Sequence, residues 1–319
     1  MNVENNPNKA ELPPLARRLA DFIDQSSGWF WLQDLYKELN LFNNGIYTVK
    51  EIENNKSVVR NLCKRLVEKG RLERDPYRDG HLRKVEDDLM EMDLLTAEPA
   101  KPLDIKYPFG LEKYVLTLPR SIIVIAGEPN AGKTAFLLNF CLLNQWKQHV
   151  VYFSSEMGAS RLRARLDKHP DIANLGIGFQ AFERGYNFHD AVGKYPEAIN
   201  VIDYLEIYEN FYEIGAKMKD IFDKLKGNGI CVIATQKNPS KKFGGKIEHN
   251  DLGRGGTFGL EKASLYLAMD SAGMNGYSRL KIVKAKEWAQ ETINPNGLEW
   301  GYKLVNGCQF VDIIQPIDK

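Results

Sequence analysis

The chain has 319 residues, of which 43% are hydrophobic and 27% are charged. This composition is sufficient for a sizeable core and excludes a chain that is disordered throughout. Lys plus Arg number 43 and Asp plus Glu number 42, so the formal net charge of +1 excludes a uniformly basic coat for nucleic acid. At about 100–200 residues per domain, the length predicts two domains.

The sequence shows no sign of disulfides or of a membrane segment. Its cysteines are far apart and form no CxxC pair, which disfavours a disulfide framework or a zinc ribbon. The polar start lacks the apolar stretch of a signal peptide, and the longest apolar run is far shorter than the roughly 20 residues of a membrane helix. We therefore expect a cytoplasmic protein with no membrane partner. The four cysteines are Cys63, Cys141, Cys231 and Cys308.

The first third of the chain predicts a small α+β domain. Residues 1–14 are rich in Asn and Pro and predict a flexible lead-in, and residues 15–88 predict three helices followed by a β-hairpin. Apolar residues at helical spacing place the helices, and two short runs around a turn place the hairpin. The helices are expected at about 15–23, 32–39 and 56–69, and the hairpin strands at 71–74 and 81–85. This order of elements resembles a winged helix.

The rest of the chain has a different pattern. Residues 89–106 are acidic and then contain Ala and Pro, which predicts a linker. Between 107 and 319, short apolar strands alternate with helices, which is typical of a mostly parallel α/β sheet. The strand candidates are 121–126, 149–153, 199–203, 230–234, 264–269, 280–284 and 308–314. The clearest helix between strands carries on one face Ile214, Met218, Ile221 and Leu225.

A phosphate-binding loop is predicted directly after the first of these strands. The segment GEPNAGKT matches G-x-x-x-x-G-K-[ST] between a strand and a helix. Backbone amides of such a loop surround phosphates at a helix N-terminus, while the lysine reaches the β- and γ-phosphates and the Thr hydroxyl binds Mg²⁺. The predicted nucleotide-binding residues are Gly127, Glu128, Pro129, Asn130, Ala131, Gly132, Lys133, Thr134 and Ala135.

Three polar residues at the ends of other strands are predicted to complete this site. Asp203 is expected to hold Mg²⁺ through water, although a strand-ending Asp can also cap a helix. Glu156 is expected to orient or deprotonate the attacking water, and the alternative is an acid that answers a helix dipole. Gln236 is expected to contact both a phosphate and the loop that follows, and the alternative is an ordinary loop amide.

The ordered set of motifs resembles the RecA-type P-loop ATPases, and within them the DnaB-like hexameric helicase core. The matching segments after the phosphate loop are SSEM at 154–157, VIDYL at 201–205, ATQKN at 234–238 and IVKAK at 282–286. The resemblance spans about 107–314. It implies a RecA-like fold, ATP and Mg²⁺ as ligands, a catalytic Glu156, a γ-phosphate sensor at Gln236, and hydrolysis between subunits of a homo-oligomer.

One position departs from the DnaB-like pattern. Where those enzymes usually carry a Lys-x-Arg pair that acts across a subunit interface, this chain has Lys284 and Lys286, as in RecA recombinases. Arginine is the better bidentate donor to a phosphate, so slower hydrolysis or a different assembly is compatible with the departure. The alternative is a pair of solvated lysines at a strand end.

A lysine- and glycine-rich stretch after Gln236 is the first candidate for nucleic-acid binding. Equivalent loops of RecA-type proteins line a central channel, and a flexible cationic loop suits a phosphate backbone, with an aromatic ring to stack on a base. The alternative is a solvated loop. The candidate residues are Lys237, Lys241, Lys242, Phe243, Lys246 and Arg254.

The second candidate lies on the third N-terminal helix. Lys56, Arg60 and Lys64 are spaced i, i+4, i+8, and in a winged helix this face would enter a DNA groove. The alternative is a solvated helix face or a protein-docking module.

These patterns predict a Mg-ATP-hydrolysing, nucleic-acid-dependent motor that acts in DNA replication or recombination, with a helicase, phage or mobile-element role compatible with them. Single-stranded DNA is favoured at the ATPase loops and duplex DNA at the winged helix, and a hexameric ring or filament is the expected assembly. Two alternatives stay open. One is a recombinase-like or KaiC-like ATPase that does not unwind, and the other is an ATP-switched DNA-binding regulator.

Overall fold

The computed structural model describes residues 13–42, 46–87, 89, 91–205, 213–238, 240–243, 246–271 and 277–316, and the side chains of 241–248 are outside that description. The chain divides into two compact units, Met1–Ala97 and Glu98–Lys319. Within the described ranges, every helix is too short or too polar to cross a membrane.

The described residues of the small unit form three helices and a three-stranded antiparallel sheet with the order β1-β3-β2. Its elements are α1 (Leu15–Gln25), β1 (Trp29–Trp31), α2 (Leu32–Glu38), α3 (Val49–Glu68), β2 (Leu72–Arg74) and β3 (His81–Lys84). The three predicted helices and the hairpin are confirmed. Strand β1 was not predicted, because its three residues are too few to show an alternating pattern.

Helix α3 is longer than its apolar stripe predicted. It begins at Val49 rather than at Lys56, because Thr48 and Glu51 form a capping box. The Thr48 backbone amide donates to the Glu51 carboxylate at 2.8 Å, and the Glu51 amide donates to the Thr48 hydroxyl at 3.3 Å. This pairing satisfies two amides of the first turn and so extends the helix through a polar stretch.

The large unit is built on one nine-stranded sheet. Its helices are α4 (Lys133–Asn144), α5 (Ala159–Leu166), α6 (Ile172–Leu175), α7 (Phe188–Val192), α8 (Glu213–Lys224) and α9 (Phe258–Glu261), and a 3-10 helix spans Pro108–Lys113. Its sheet strands are β4 (Ile122–Gly127), β5 (Val150–Ser154), β6 (Gln180–Glu183), β7 (Ile199–Asp203), β8 (Ile230–Gln236), β11 (Leu265–Asp270), β12 (Ser278–Ala285), β13 (Glu299–Val305) and β14 (Gln309–Ile314). A separate two-stranded hairpin consists of β9 (Lys241–Phe243) and β10 (Lys246–Glu248).

The strand order is β14-β13-β12-β11-β4-β8-β7-β5-β6. The six strands from β11 to β6 are parallel to one another, and β12, β13 and β14 extend the sheet beyond β11 in antiparallel pairs. All seven strand candidates are therefore confirmed, as is the predicted RecA-like fold class of a mostly parallel sheet flanked by helices. Strand β6 was missed because its residues are all exposed and carry no apolar signal.

Strand β4 is central to the large unit and is buried on both faces. Its successive residues alternate between two apolar clusters, one containing Ile123 and Ile125 and the other Ile122 and Val124. Helix α4 contributes to the first cluster and α8 to the second, with Ile214, Met218 and Ile221 buried. Helices on both faces leave the carboxyl ends of the parallel strands as the edge at which polar side chains collect.

We expect Thr48→Ala to destabilise α3, since the loss of an N-cap typically costs about 0.5–2 kcal/mol. Native-state hydrogen exchange of the α3 amides in the full chain measures the local free energy of opening. The matched control is Ser57→Ala on the exposed middle of the same helix, where alanine has the higher helix propensity and no loss is expected. Equal exchange in the parent and in Thr48→Ala would show that the capping box does not stabilise α3.

Candidate nucleotide-binding site

Two glycines shape the loop between β4 and α4. Gly132 has φ +94°, in the left-handed region, at the residue before the helix begins. At Gly127, an added Cβ would lie 2.6 Å from the Lys133 Cγ. The loop therefore requires glycine at one position for its backbone and at the other for the close approach of the lysine.

The Lys133 side chain folds back over this loop. Its Nζ donates to the carbonyl oxygens of Gly127 at 3.0 Å and of Glu128 at 2.9 Å. Burial lowers the pKa of Lys133, whereas the nearby Asp203, Glu156 and Glu128 act in the opposite direction. The ammonium is thus largely desolvated and surrounded by acceptors, which is a suitable setting for an anionic ligand.

Asp203 ends β7 beside the loop and is almost fully buried. Its carboxylate accepts from the Tyr152 hydroxyl at 2.5 Å and from the Thr134 hydroxyl. Burial raises the pKa of Asp203, and the hydrogen bonds from Tyr152 and Thr134 and the charge of Lys133 oppose that increase. Asp203 and Thr134 therefore present hard oxygen atoms in contact with each other.

This donor pair fits Mg²⁺. That ion usually takes one or two carboxylates together with substrate phosphates rather than a cage of protein ligands. In the described part of the chain, no group of three or more His, Cys, Asp or Glu residues is placed to hold a metal. The residues that would hold the ion are Thr134 and Asp203.

A cavity of about 350 Å³ opens at this edge of the sheet. The structure brings together most of the predicted nucleotide-binding and catalytic residues around it. The predicted residues that line the cavity are Pro129, Asn130, Gly132, Lys133, Thr134, Ala135, Glu156, Asp203 and Gln236. Their sources are the loop and the ends of β5, β7 and β8, so one space contains the acidic, basic and amide groups that the sequence suggested separately.

Sequence reasoning missed four further lining residues, namely Arg165, Tyr204, Leu304 and Gly307. Arg165 lies on α5, which follows Glu156, and it brings a second cation to the cavity. The available sequence signal is the i, i+4 spacing of Leu162 and Leu166, which form the buried side of α5 next to Arg165. In a helix rich in arginine, however, that signal resembles an ordinary solvated face.

Two residues of the predicted loop have side chains that turn away from the cavity. The Glu128 carboxylate is buried and accepts from Ser240 and Ser271. Ala131 is also buried, and its carbonyl accepts from the Tyr302 hydroxyl at 2.5 Å. Both residues therefore support the loop from behind rather than facing a ligand with their side chains.

Lys284 and Lys286 do not line the cavity. Lys284 donates its Nζ to the Leu260 carbonyl, and burial followed by the charge of Lys286 lowers the pKa of Lys284. Lys286 is exposed just beyond β12. A role of this pair across a subunit interface stays a prediction.

The structure corrects the prediction for Lys237. Its side chain is 0% exposed, forms an ion pair with the equally buried Asp270, and donates to the Asn250 carbonyl at 2.8 Å. It is therefore a structural cation and cannot present its charge to a nucleic-acid backbone. Arg254, by contrast, is exposed, and its backbone amide donates to the Gln236 carbonyl at 2.8 Å.

The other candidates of this stretch lie on the β9–β10 hairpin. Their backbone forms the antiparallel pair Lys241–Phe243 and Lys246–Glu248, and their side chains lie outside the described part of the structure. These residues are Lys241, Lys242, Phe243 and Lys246.

On α3, the predicted basic face makes local contacts. Lys56 pairs with Glu53 at 2.9 Å and lies 4.7 Å from the centroid of the Phe42 ring. Arg60 donates its Nε to the Tyr36 hydroxyl at 3.0 Å, and Lys64 is exposed. Two of the three residues thus have structural partners within the small unit, which favours the alternative of an ordinary helix face.

Comparisons with known proteins give similarity of structure alone. No protein-family model matches the chain, and no curated protein matches it. A KaiC-like protein from the archaeon Pyrococcus horikoshii is similar at 15% identity and TM-score 0.45, over 66% of this chain and 97% of that one. The RadB recombinase is similar at 17% identity and TM-score 0.41, over 59% of this chain and 89% of its own.

A DnaB-like replicative helicase is similar at 16% identity and TM-score 0.46, over 60% of this chain and 58% of that one. The fold of the large unit is of the RecA type, with the phosphate loop following a central strand of a mostly parallel sheet. The functional conclusion below rests on the residues of the site.

We expect Lys133→Ala to abolish tight ATP binding, because the change removes the cation that the phosphate loop itself carries. Equilibrium binding of a fluorescent ATP analogue measures the effect. Lys113→Ala, which removes a lysine from the 3-10 helix away from the cavity lining, is the matched control and should bind like the parent. Parental affinity in Lys133→Ala would contradict the assignment of the phosphate site.

Proposed function

We propose that this chain is a Mg-ATP-hydrolysing, nucleic-acid-dependent motor of the RecA/DnaB type. The observation that carries the proposal is the single cavity that gathers Lys133, Thr134, Glu156, Asp203 and Gln236. Such groups are required to bind a triphosphate, to hold its metal ion and to activate the attacking water. The alternatives share this cavity. The recombinase-like and KaiC-like ATPases differ from the motor in what hydrolysis drives, whereas in the regulator ATP would act as a signal for assembly.

Binding begins with the phosphate loop. The loop amides and the N-terminus of α4 attract the phosphates, and Lys133 exchanges its two carbonyl acceptors for phosphate oxygens. Thr134 and Asp203 would hold the metal ion, which would neutralise part of the phosphate charge. The hydrogen bond from Tyr152 keeps the Asp203 carboxylate in one orientation toward Thr134.

Hydrolysis then requires a water to be activated. Glu156 follows β5 and lines the cavity beside Asp203, so its carboxylate can accept the proton of a water that attacks the terminal phosphate. Arg165 comes from the same chain and lines the same cavity, so its guanidinium can stabilise the negative charge that develops on the phosphate. Such a cation in cis would act together with Lys284 and Lys286 contributed by a neighbouring subunit.

We propose that the segment after Gln236 couples the nucleotide site to nucleic-acid binding. Gln236 lines the cavity, and its backbone carbonyl accepts a hydrogen bond from the backbone amide of the exposed Arg254. A change at the γ-phosphate can therefore reach the loop and the β9–β10 hairpin through one residue. We place single-stranded DNA at these loops of a cytoplasmic homo-oligomer, as a hexameric ring or filament, and duplex DNA at the winged-helix-like small unit.

Glu156→Gln should bind ATP normally and hydrolyse it more slowly by about 10²–10⁴-fold, since the amide keeps the shape but cannot accept a proton. Steady-state phosphate release and analogue binding separate the two effects. Glu183→Gln is the matched control, because Glu183 ends β6 directly beside Ser154 of β5. Parental turnover in Glu156→Gln would place the base elsewhere, with Glu206 and Glu209, which lie outside the described residues, as the next candidates.

Changing Lys241, Lys242 and Lys246 together to Ala should weaken binding of single-stranded DNA with little effect on ATP affinity. Each lysine that neutralises a phosphate contributes roughly 0.7–0.9 to the slope of log K against log salt, so the slope should flatten by roughly two units. Fluorescence anisotropy over a salt series measures both quantities.

The matched control removes three lysines from α8. Changing Lys217, Lys219 and Lys224 to Ala alters the net charge equally and should leave the slope as in the parent. A second comparison changes Lys56, Arg60 and Lys64 to Ala. If the hairpin variant binds DNA like the parent while this α3 variant does not bind, the DNA-binding surface lies on the small unit. The ATP-switched regulator then explains the function better than the motor does.

A further inference from the structure

Glu128 is a buried anion at the back of the phosphate loop. Its side chain is only 3% exposed, and each carboxylate oxygen accepts two hydrogen bonds. One oxygen accepts from the backbone amide and the hydroxyl of Ser240, both at 2.5 Å, and the other from the amide at 2.9 Å and the hydroxyl at 2.6 Å of Ser271. Burial alone would raise the pKa of Glu128, but these hydrogen bonds outweigh it and lower that pKa to about 2.

Ser240 is the residue that leads into the β9–β10 hairpin. Besides Glu128, its hydroxyl contacts the His249 Nδ1 at 3.1 Å and the Asp270 Oδ1 at 3.0 Å. His249 directly follows β10, so both ends of the hairpin meet in one polar cluster. Asp270 is fixed in turn by ion pairs with Lys237 and Arg279. The hairpin is therefore attached at its base to the phosphate loop and to the buried end of β11.

The same residue contacts the cation of the phosphate loop. The Glu128 backbone carbonyl accepts from the Lys133 Nζ at 2.9 Å. When Lys133 turns to a phosphate, this carbonyl loses the nearer of its two donors and keeps the Ala131 amide at 3.3 Å. The loop segment whose side chain anchors Ser240 therefore changes its contacts. This connection does not pass through Gln236, which reaches the same region from the end of β8.

We propose that Glu128 is a positioning residue that transmits the occupancy of the phosphate loop to the lysine-rich hairpin through Ser240. The inference rests on the proposed nucleotide site, and it adds a second connection to the one through Gln236. Neither nucleic acid nor hydrolysis is needed for the effect, so it can be observed with nucleotide alone.

The test is hydrogen exchange of the hairpin amides, residues 241–248, in the full chain with and without a non-hydrolysable ATP analogue and Mg²⁺. In the parent we expect saturating analogue to change these exchange rates several-fold. In Glu128→Gln, the new side-chain amide nitrogen would face two hydrogen-bond donors of one serine. The change in hairpin exchange on analogue binding should therefore fall to less than half of the change in the parent. Ser240→Ala removes the hydroxyl that donates to Glu128 and leaves the residues of the phosphate loop unchanged. This variant should bind the analogue like the parent, with a smaller change in hairpin exchange.

Ser264→Ala is the matched control. Its hydroxyl donates at 2.9 Å to the Ile122 carbonyl, at the opposite end of β4 from the phosphate loop, so the full response should remain. If Glu128→Gln does not fold, Ser240→Ala decides the question.

A full response in Ser240→Ala and in any folded Glu128→Gln would overturn the inference, as would a parent that binds the analogue without any hairpin response. A parent that does not bind the analogue would instead overturn the nucleotide site, and this inference with it.

Discussion

The parallel register of β4, β5, β7 and β8 is the constraint on which the candidate site depends. In that register Gly127 is opposite Gln236, and Ser154 is opposite Asp203. Segments far apart in sequence therefore end at the same height along one edge of the sheet. A shift of one residue in any pair would turn a lining side chain toward the opposite face, so the apolar packing on both faces of β4 also fixes the geometry of the polar site.

A cluster of buried charges lies at the ends of neighbouring strands of the same sheet. Lys237 and Asp270 are both 0% exposed, and Arg279 donates to Asp270 at 2.8 Å and to Asp251 at 3.0 Å. Removal of one member of a buried pair typically costs about 3–5 kcal/mol, because the other charge is left uncompensated. The cluster joins the ends of β8, β11 and β12, which are the strands between which the loops after Gln236 emerge.

The parts of the structure that the sequence predicted are those with a local cause. The phosphate loop, β4 and Asp203 follow from an apolar run that ends in a motif or a carboxylate, so neighbouring residues are sufficient to place them. Lys237 was misassigned because its partner, Asp270, is distant in sequence, and a lysine beside other lysines resembles a solvated loop. Arg165 was overlooked for the same reason, since its position in the cavity depends on where α5 lies relative to β5 and β7.

Two sets of contacts hold together the ends of the segment between Gln236 and Arg254. Lys237 and Gly253 form an isolated antiparallel bridge, and the Gln236 carbonyl accepts from the Arg254 amide, so the first set belongs to the end of β8. The second set joins Ser240 to Glu128 and His249, so it belongs to the phosphate loop. Because both sets hold one short segment, a displacement of the phosphate loop that moved Ser240 would strain the bridge at Lys237. The two connections should therefore respond together, because the buried pair of Lys237 and Asp270 lies at their shared base, where Asp270 also contacts Ser240.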